Sequence, residues 1–218
     1  MVQYWKTIIT DSWDIYKNNF RLLLVAHCII LVLYTYPQFI IINLDLSENL
    51  DNIIELISPE MALLFIALFL LGSGISLGAI HITYNAIKKL PLEFKHLFQQ
   101  FYLLPQLILK YLVSGIITLI ILYLFSNIIF AGIVFAIINF SLFFFYDYLI
   151  LIEKLDFMNA IKTNFYLVSK NITLIIQYCL ICFMITLVLS VLPILGSVLS
   201  QSFVMMLGIQ LYIQLISK

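Results

Sequence analysis

The sequence predicts an all-α polytopic membrane protein, with six transmembrane helices in three hairpins, each hairpin preceded by a cytoplasmic amphipathic interfacial helix. Three observations carry this expectation. Hydrophobic residues make up 64% of the chain and charged residues only 10%, whereas a soluble domain typically has about a quarter of its residues charged. Four long stretches hold no charged residue at all. Every lysine and arginine falls outside those stretches, in a pattern that fits one topology.

The four stretches are Leu22 to Leu44, Met61 to Ile87, Tyr111 to Tyr146 and Asn171 to Ser217. A span needs roughly 20 apolar residues, so the first two each hold one helix. The third is too long for one and divides at Ser126–Asn127. The fourth divides at "PILGS", where Pro193 lacks a backbone donor and Gly196 permits a turn. The expected spans are 22–44, 61–87, 105–125, 128–150, 172–192 and 197–216, within a single integral-membrane domain over residues 1–218.

Charge placement orients these spans. With both termini cytoplasmic, the inner segments hold all eleven basic residues: Lys6, Lys17, Arg21, Lys88, Lys89, Lys95, Lys110, Lys154, Lys162, Lys170 and Lys218. The outer segment from Asp45 to Glu60 holds five acids and no base. Positively charged residues favour the cytoplasmic side, so both termini are expected inside. Asp11, Asp14, Lys17 and Arg21 interrupt the place where a cleavable signal core would lie. Lysine far outnumbers the single Arg21, with abundant Ile, Asn and Phe, which reads as the product of an AT-rich bacterial genome. The expected location is the bacterial inner (plasma) membrane.

The segments between spans are patterned too. In Tyr4 to Phe20, Trp5, Ile8, Ile9, Trp13, Tyr16 and Phe20 share one helical face, and Lys6, Thr10, Asp14 and Lys17 the other. In Asp156 to Lys170, an apolar stripe of Phe157, Met158, Ile161, Phe165 and Val168 opposes Asn159, Lys162 and Thr163. Such helices lie in the interface plane with the apolar side down. "LEFKHLFQQFYL" echoes "LDFMNAIKTNFYL", which suggests three helix-plus-hairpin units. The acidic outer loop, with Asp45, Glu48, Asp51 and Glu55, has no calcium-loop geometry and reads as a solvated face.

Several motifs invite chemistry. "GSGISLG", with Glu93 downstream, copies a dinucleotide loop, but such a loop follows a strand and opens a helix. Here the glycines sit within an apolar run, and Gly72, Gly74 and Gly78 read as a small-residue face for helix packing in lipid. "CLIC", Cys179 to Cys182, has redox spacing, yet thiols in lipid lack the cation or helix terminus that activates them. Polar residues inside spans are costly unless partnered. His27, His81, Gln177 and Gln210 reach similar depths and define a polar layer, either a cytoplasmic-side cavity or separate helix–helix hydrogen bonds. Lys110 and Asp147 come to one depth across the hairpin of the third and fourth spans, as an ion pair. No nucleophile–base pair, metal cluster or cofactor motif is present, so no catalytic, cofactor-binding or metal residues are assigned.

The opening "SWDIYKNNFRLLLV", the "ISPEM" before the second span, the small residues around Gly72 to Gly78, the turn "IKKLPLEFKHLF" and the re-entry "LILIEKLDFMNAIKTNFYLVSKN" together resemble the YciC family of bacterial inner-membrane proteins. The resemblance spans nearly the full chain. It departs from the family at "FAGIVF", which keeps Gly132 without the usual proline. The resemblance implies a six-span inner-membrane protein and brings no catalytic or binding residues with it. The functional expectation is a non-enzymatic accessory or scaffold protein of the envelope, partnered by membrane lipids and other envelope membrane proteins, with no nucleic acid and no nucleotide. The alternative is a small transporter or lipid-handling protein that uses the polar cavity.

Overall fold

The computed structural model describes residues 2–43, 58–125 and 128–217. The acidic outer residues Asp45 to Ile57 and the Ser126–Asn127 division lie outside the described residues. The elements are α1 (Val2–Asn43), α2 (Pro59–Ile87), two 3₁₀ turns (Phe94–Leu97 and Phe101–Leu103), α3 (Leu104–Leu124), α4 (Ile128–Phe143), α5 (Tyr146–Ile152), α6 (Phe157–Lys170), α7 (Ile172–Leu189) and α8 (Pro193–Ile216). Six helical stretches among them are long and apolar enough to cross a membrane, α4 and α5 together making the fourth. Large apolar side chains such as Leu63, Leu112, Leu119 and Phe183 are exposed along them, as expected where lipid is the solvent.

The first interfacial helix does not form separately. α1 runs unbroken for 42 residues, about 63 Å at 1.5 Å per residue, roughly twice the thickness of a hydrocarbon core. Its buried residues are Trp5, Ile8, Ser12, Tyr16, Leu23, Ala26, His27 and Ile30; apart from the adjacent Ala26 and His27 they fall at spacings of three, four and seven, the repeat of one helical face. The N-terminal third spends that face on protein. Trp5 Nε1 donates to Gln177 Oε1 of α7 at 2.7 Å, and the Trp13 and Tyr16 rings meet Phe203 of α8 edge-on. Further along, Tyr34 of α1 meets Ser73 of α2.

The second interfacial helix is replaced by the two 3₁₀ turns. Leu97, Gln100 and Leu103 are the buried residues there, and a spacing of three matches the 3₁₀ repeat rather than the α one. The cause lies on α2. A Cβ at Gly78 would collide with the backbone of Leu97, and one at Gly74 would come within 2.8 Å of the Phe101 ring. The missing side chains therefore let this segment press its backbone onto α2. Gly72 instead packs against Tyr34 of α1, with 3.3 Å between an added Cβ and the ring.

The third interfacial segment is a helix, α6, begun by Asp156, whose carboxylate accepts from the Asn159 backbone at 2.9 Å. Its buried face is Ala160, Asn164, Leu167 and Val168, while Met158 and Phe165 of the expected stripe are exposed. α6 packs on α4 and α5. The final turn also falls earlier than expected: α7 ends at Leu189, and Pro193 opens α8, where its fixed φ and absent donor fit the first turn. Gly196 lies inside α8, where a Cβ would strike the Leu189 carbonyl.

Candidate functional site

The fourth span is broken. α4 stops at Phe143 and α5 starts at Tyr146, so backbone groups at the junction lose their helical partners. Asn164 of α6, fully buried, supplies both replacements. Its Oδ1 accepts from the Phe145 N–H at 2.6 Å, and its Nδ2 donates to the Ser141 carbonyl at 2.6 Å. Asp147 and Tyr148 follow directly after the break, in the first turn of α5.

A crevice of about 420 Å³ opens beside this break, within the range of small-molecule sites. Among its lining residues are His27 and Tyr34 of α1, Ser76 and Ile80 of α2, Asp147 and Tyr148 of α5, Tyr178 of α7 and Gln201 of α8. His27 is 1% exposed. Its Nδ1 lies 2.9 Å from the Leu23 carbonyl, and its Nε2 has no hydrogen-bond partner among the described residues. The Tyr178 hydroxyl donates to the Val204 carbonyl at 3.0 Å, which holds α7 to α8 at the crevice wall.

Asp147 is held from the opposite side. Lys110 Nζ of α3 donates to both carboxylate oxygens, at 2.8 and 2.9 Å. The same ammonium lies over the rings of Tyr111 and Tyr146, 5.7 and 5.5 Å from their centroids, where the ring faces attract a cation. Nearby, the Ser73 hydroxyl gives its hydrogen to the Phe69 carbonyl at 2.8 Å and sits 3.2 Å from Tyr34 Oη and 3.4 Å from Tyr111 Oη. This single hydroxyl links α1, α2 and α3 at the level of the ion pair.

The four residues of the expected polar layer do not gather around one space. His27 faces the crevice, whereas His81 Nδ1 bonds Gln100 Nε2 of the 3₁₀ segment at 2.8 Å, and Gln177 accepts from Trp5. Gln210 lies half-buried on α8. Cys179 and Cys182 are free, half-buried thiols. Among the described residues no group of three or more His, Cys, Asp or Glu is placed to hold a metal. Outside the spans, the Glu93 carboxyl is held below its usual range by the hydrogen bond from Lys95, and the Glu93 backbone N–H lies 3.3 Å from His96 Nδ1.

Sequence reasoning singled out His27, Lys110 and Asp147 but missed Tyr148, Tyr178, Gln201 and above all Asn164. The signal for Asn164 was available. It occupies the middle of the Ala160, Leu167 and Val168 face, where an amide is costly unless it has a task. A second hollow, of about 430 Å³, lies among α5, α6 and α8 with Glu153 and Lys170 on its wall. Both of those are exposed, so nothing in it calls for a ligand as the His27 lone pair does.

No family model, curated protein or solved structure matches this chain.

Proposed function

We propose that this is a bacterial inner-membrane protein, with both termini cytoplasmic, that binds and handles a membrane amphiphile in the crevice between α1, α2, α5, α7 and α8. The observation that carries the reading is a crevice beside a broken span with His27 in its wall, a fully buried side chain whose Nε2 has no hydrogen-bond partner among the described residues. Broken helices next to polar sites within the membrane are the usual construction of membrane binding sites, because irregular backbone is tolerated at depth only where it lines a cavity or is buried in protein. The pairing of the six spans into three hairpins and the kinship with the YciC family belong to the same proposal, the kinship resting on the sequence stretches alone. The reading assigns a binding role and no catalytic step.

The test is lipid retention. Protein extracted from its own membrane in mild detergent is expected to carry a bound amphiphile visible by native mass spectrometry. Ser76→Phe, which fills the crevice, is expected to lose that species while keeping its thermal unfolding profile. Equal retention by the filled variant would sink the proposal. Orientation is read separately: a cysteine introduced as Glu60→Cys should react with a membrane-impermeant maleimide from outside intact cells, and one introduced as Lys6→Cys should not.

A further inference from the structure

We infer that the crevice takes a neutral amphiphile whose headgroup presents a hydroxyl, donated to His27 Nε2. This rests on the amphiphile-binding reading and adds the chemistry of the headgroup.

The argument begins at the imidazole. The Leu23 carbonyl only accepts, so the hydrogen in the 2.9 Å contact belongs to Nδ1. In the neutral ring the other nitrogen then carries a lone pair. That lone pair is buried and unanswered among the described residues, so it is completed by an O–H or N–H donor. A buried acceptor without a donor carries its full desolvation penalty, and a ligand that satisfies it gains that penalty as affinity.

Charge then selects among donors. The carboxylate in the crevice is Asp147, and Lys110 already meets both of its oxygens. The lining is therefore balanced, and a headgroup of net charge would enter without a free counter-ion, at a cost that membrane depth makes severe. A hydroxyl brings the donor without the charge. Ile80, Val204 and Met205 supply apolar wall beside the polar one, which suits the first carbons of a hydrocarbon chain and gives free polyols nothing to bury.

The probe is 1,2-dioleoylglycerol added to ¹⁵N-histidine-labelled protein in phosphatidylcholine nanodiscs. Binding is expected to move the His27 Nε2 resonance upfield as the lone pair accepts a hydrogen bond. The methyl ether of the same lipid, which has no hydroxyl to donate, is expected to bind at least tenfold more weakly, as is phosphatidic acid. His27→Phe is expected to lose at least tenfold in diacylglycerol affinity. Should that variant fail to fold, the hydroxyl-versus-ether comparison on the wild type decides alone. Equal binding of the ether or of phosphatidic acid, or an unmoved resonance, would overturn the assignment. An equal shift from free glycerol would overturn the amphiphile. If another lipid class is retained and is lost on Ser76→Phe, the hydroxyl assignment falls while the proposed function stands. If no lipid is retained, both fall.

Discussion

Asn164 holds the Phe145 N–H at 2.6 Å and the Ser141 carbonyl at 2.6 Å, and so closes the gap between α4 and α5 from a different helix. The break in the fourth span and the docking of α6 are one structural event. The Phe145 N–H bond is buried and the Ser141 bond partly so, and Asn164 itself is fully buried. Asn164→Leu keeps the side-chain volume but leaves both groups without their partner. At about 1–3 kcal/mol for each unsatisfied buried group, the expected loss is roughly 2–5 kcal/mol, read as a lower midpoint in denaturant or heat in detergent. A midpoint within error of the wild type would show that the junction finds other partners.

The Lys110–Asp147 pair sits in a partly buried site, with side-chain exposures of 15% and 33%. Removing one member of a buried pair leaves an uncompensated charge and typically costs about 3–5 kcal/mol; the partial exposure of Asp147 moves the expectation for Lys110→Met to the low end. Replacing both, Lys110→Met with Asp147→Leu, is expected to recover most of that loss, because an apolar pair of similar volume incurs no desolvation cost. A double-mutant cycle on unfolding midpoints measures the coupling. Losses that simply add would show that the pair contributes no coupling.

The six apolar spans were legible because hydropathy and length act residue by residue, without knowledge of neighbours. The break at Phe144–Phe145 was not. "FSLFFFYDYL" contains neither glycine nor proline, and the group that permits the break, Asn164, lies 19 residues from Phe145. The polar layer dispersed for a related reason. Counting residues from a membrane boundary fixes depth but not the direction a side chain takes around its helix. His81 therefore turned to Gln100 and His27 to the crevice, although both reach similar depths. Tyr148 and Tyr178 were hidden among thirteen tyrosines, most of which give no hint of facing an interior space.

The glycines separate into those that a neighbour requires and those that none does. Gly78 meets backbone, that of Leu97, which has no rotamer by which to withdraw; Gly74 meets only the end of the Phe101 ring. Gly115 has nothing within 4 Å of an added Cβ. Gly78→Ala is therefore expected to destabilise most, by about 1–3 kcal/mol as overpacking does, and Gly74→Ala less. Gly115→Ala should be neutral or stabilising by up to about 1 kcal/mol, the usual gain of alanine over glycine within a helix. The order of the three unfolding midpoints is the measurement. A Gly78→Ala variant as stable as Gly115→Ala would mean that the 3₁₀ segment does not lie against α2.

Two lysines hold the left-handed conformation that terminates a helix. Lys89 has φ 56° after α2, and Lys154 has φ 54° after α5. Each is followed by a backbone bond reaching back over the helix end: Leu90 N–H to the Asn85 carbonyl at 2.8 Å, and Leu155 N–H to the Leu149 carbonyl at 3.3 Å. That closure normally uses glycine, since a Cβ is strained there, at about 1 kcal/mol. Lysine rather than glycine at both positions fits the proposed topology with cytoplasmic termini, in which both would stand among the basic residues that favour the cytoplasmic side. Lys154→Gly is expected to raise the stability of purified protein by about 1 kcal/mol, the strain relieved. In cells, Lys89→Gly with Lys154→Gly should weaken the inward bias of the segments they occupy, read by maleimide labelling at Lys162→Cys from outside intact cells. No gain in stability would show that the strain is absorbed locally, and unchanged labelling would show that the remaining cations suffice to orient the chain.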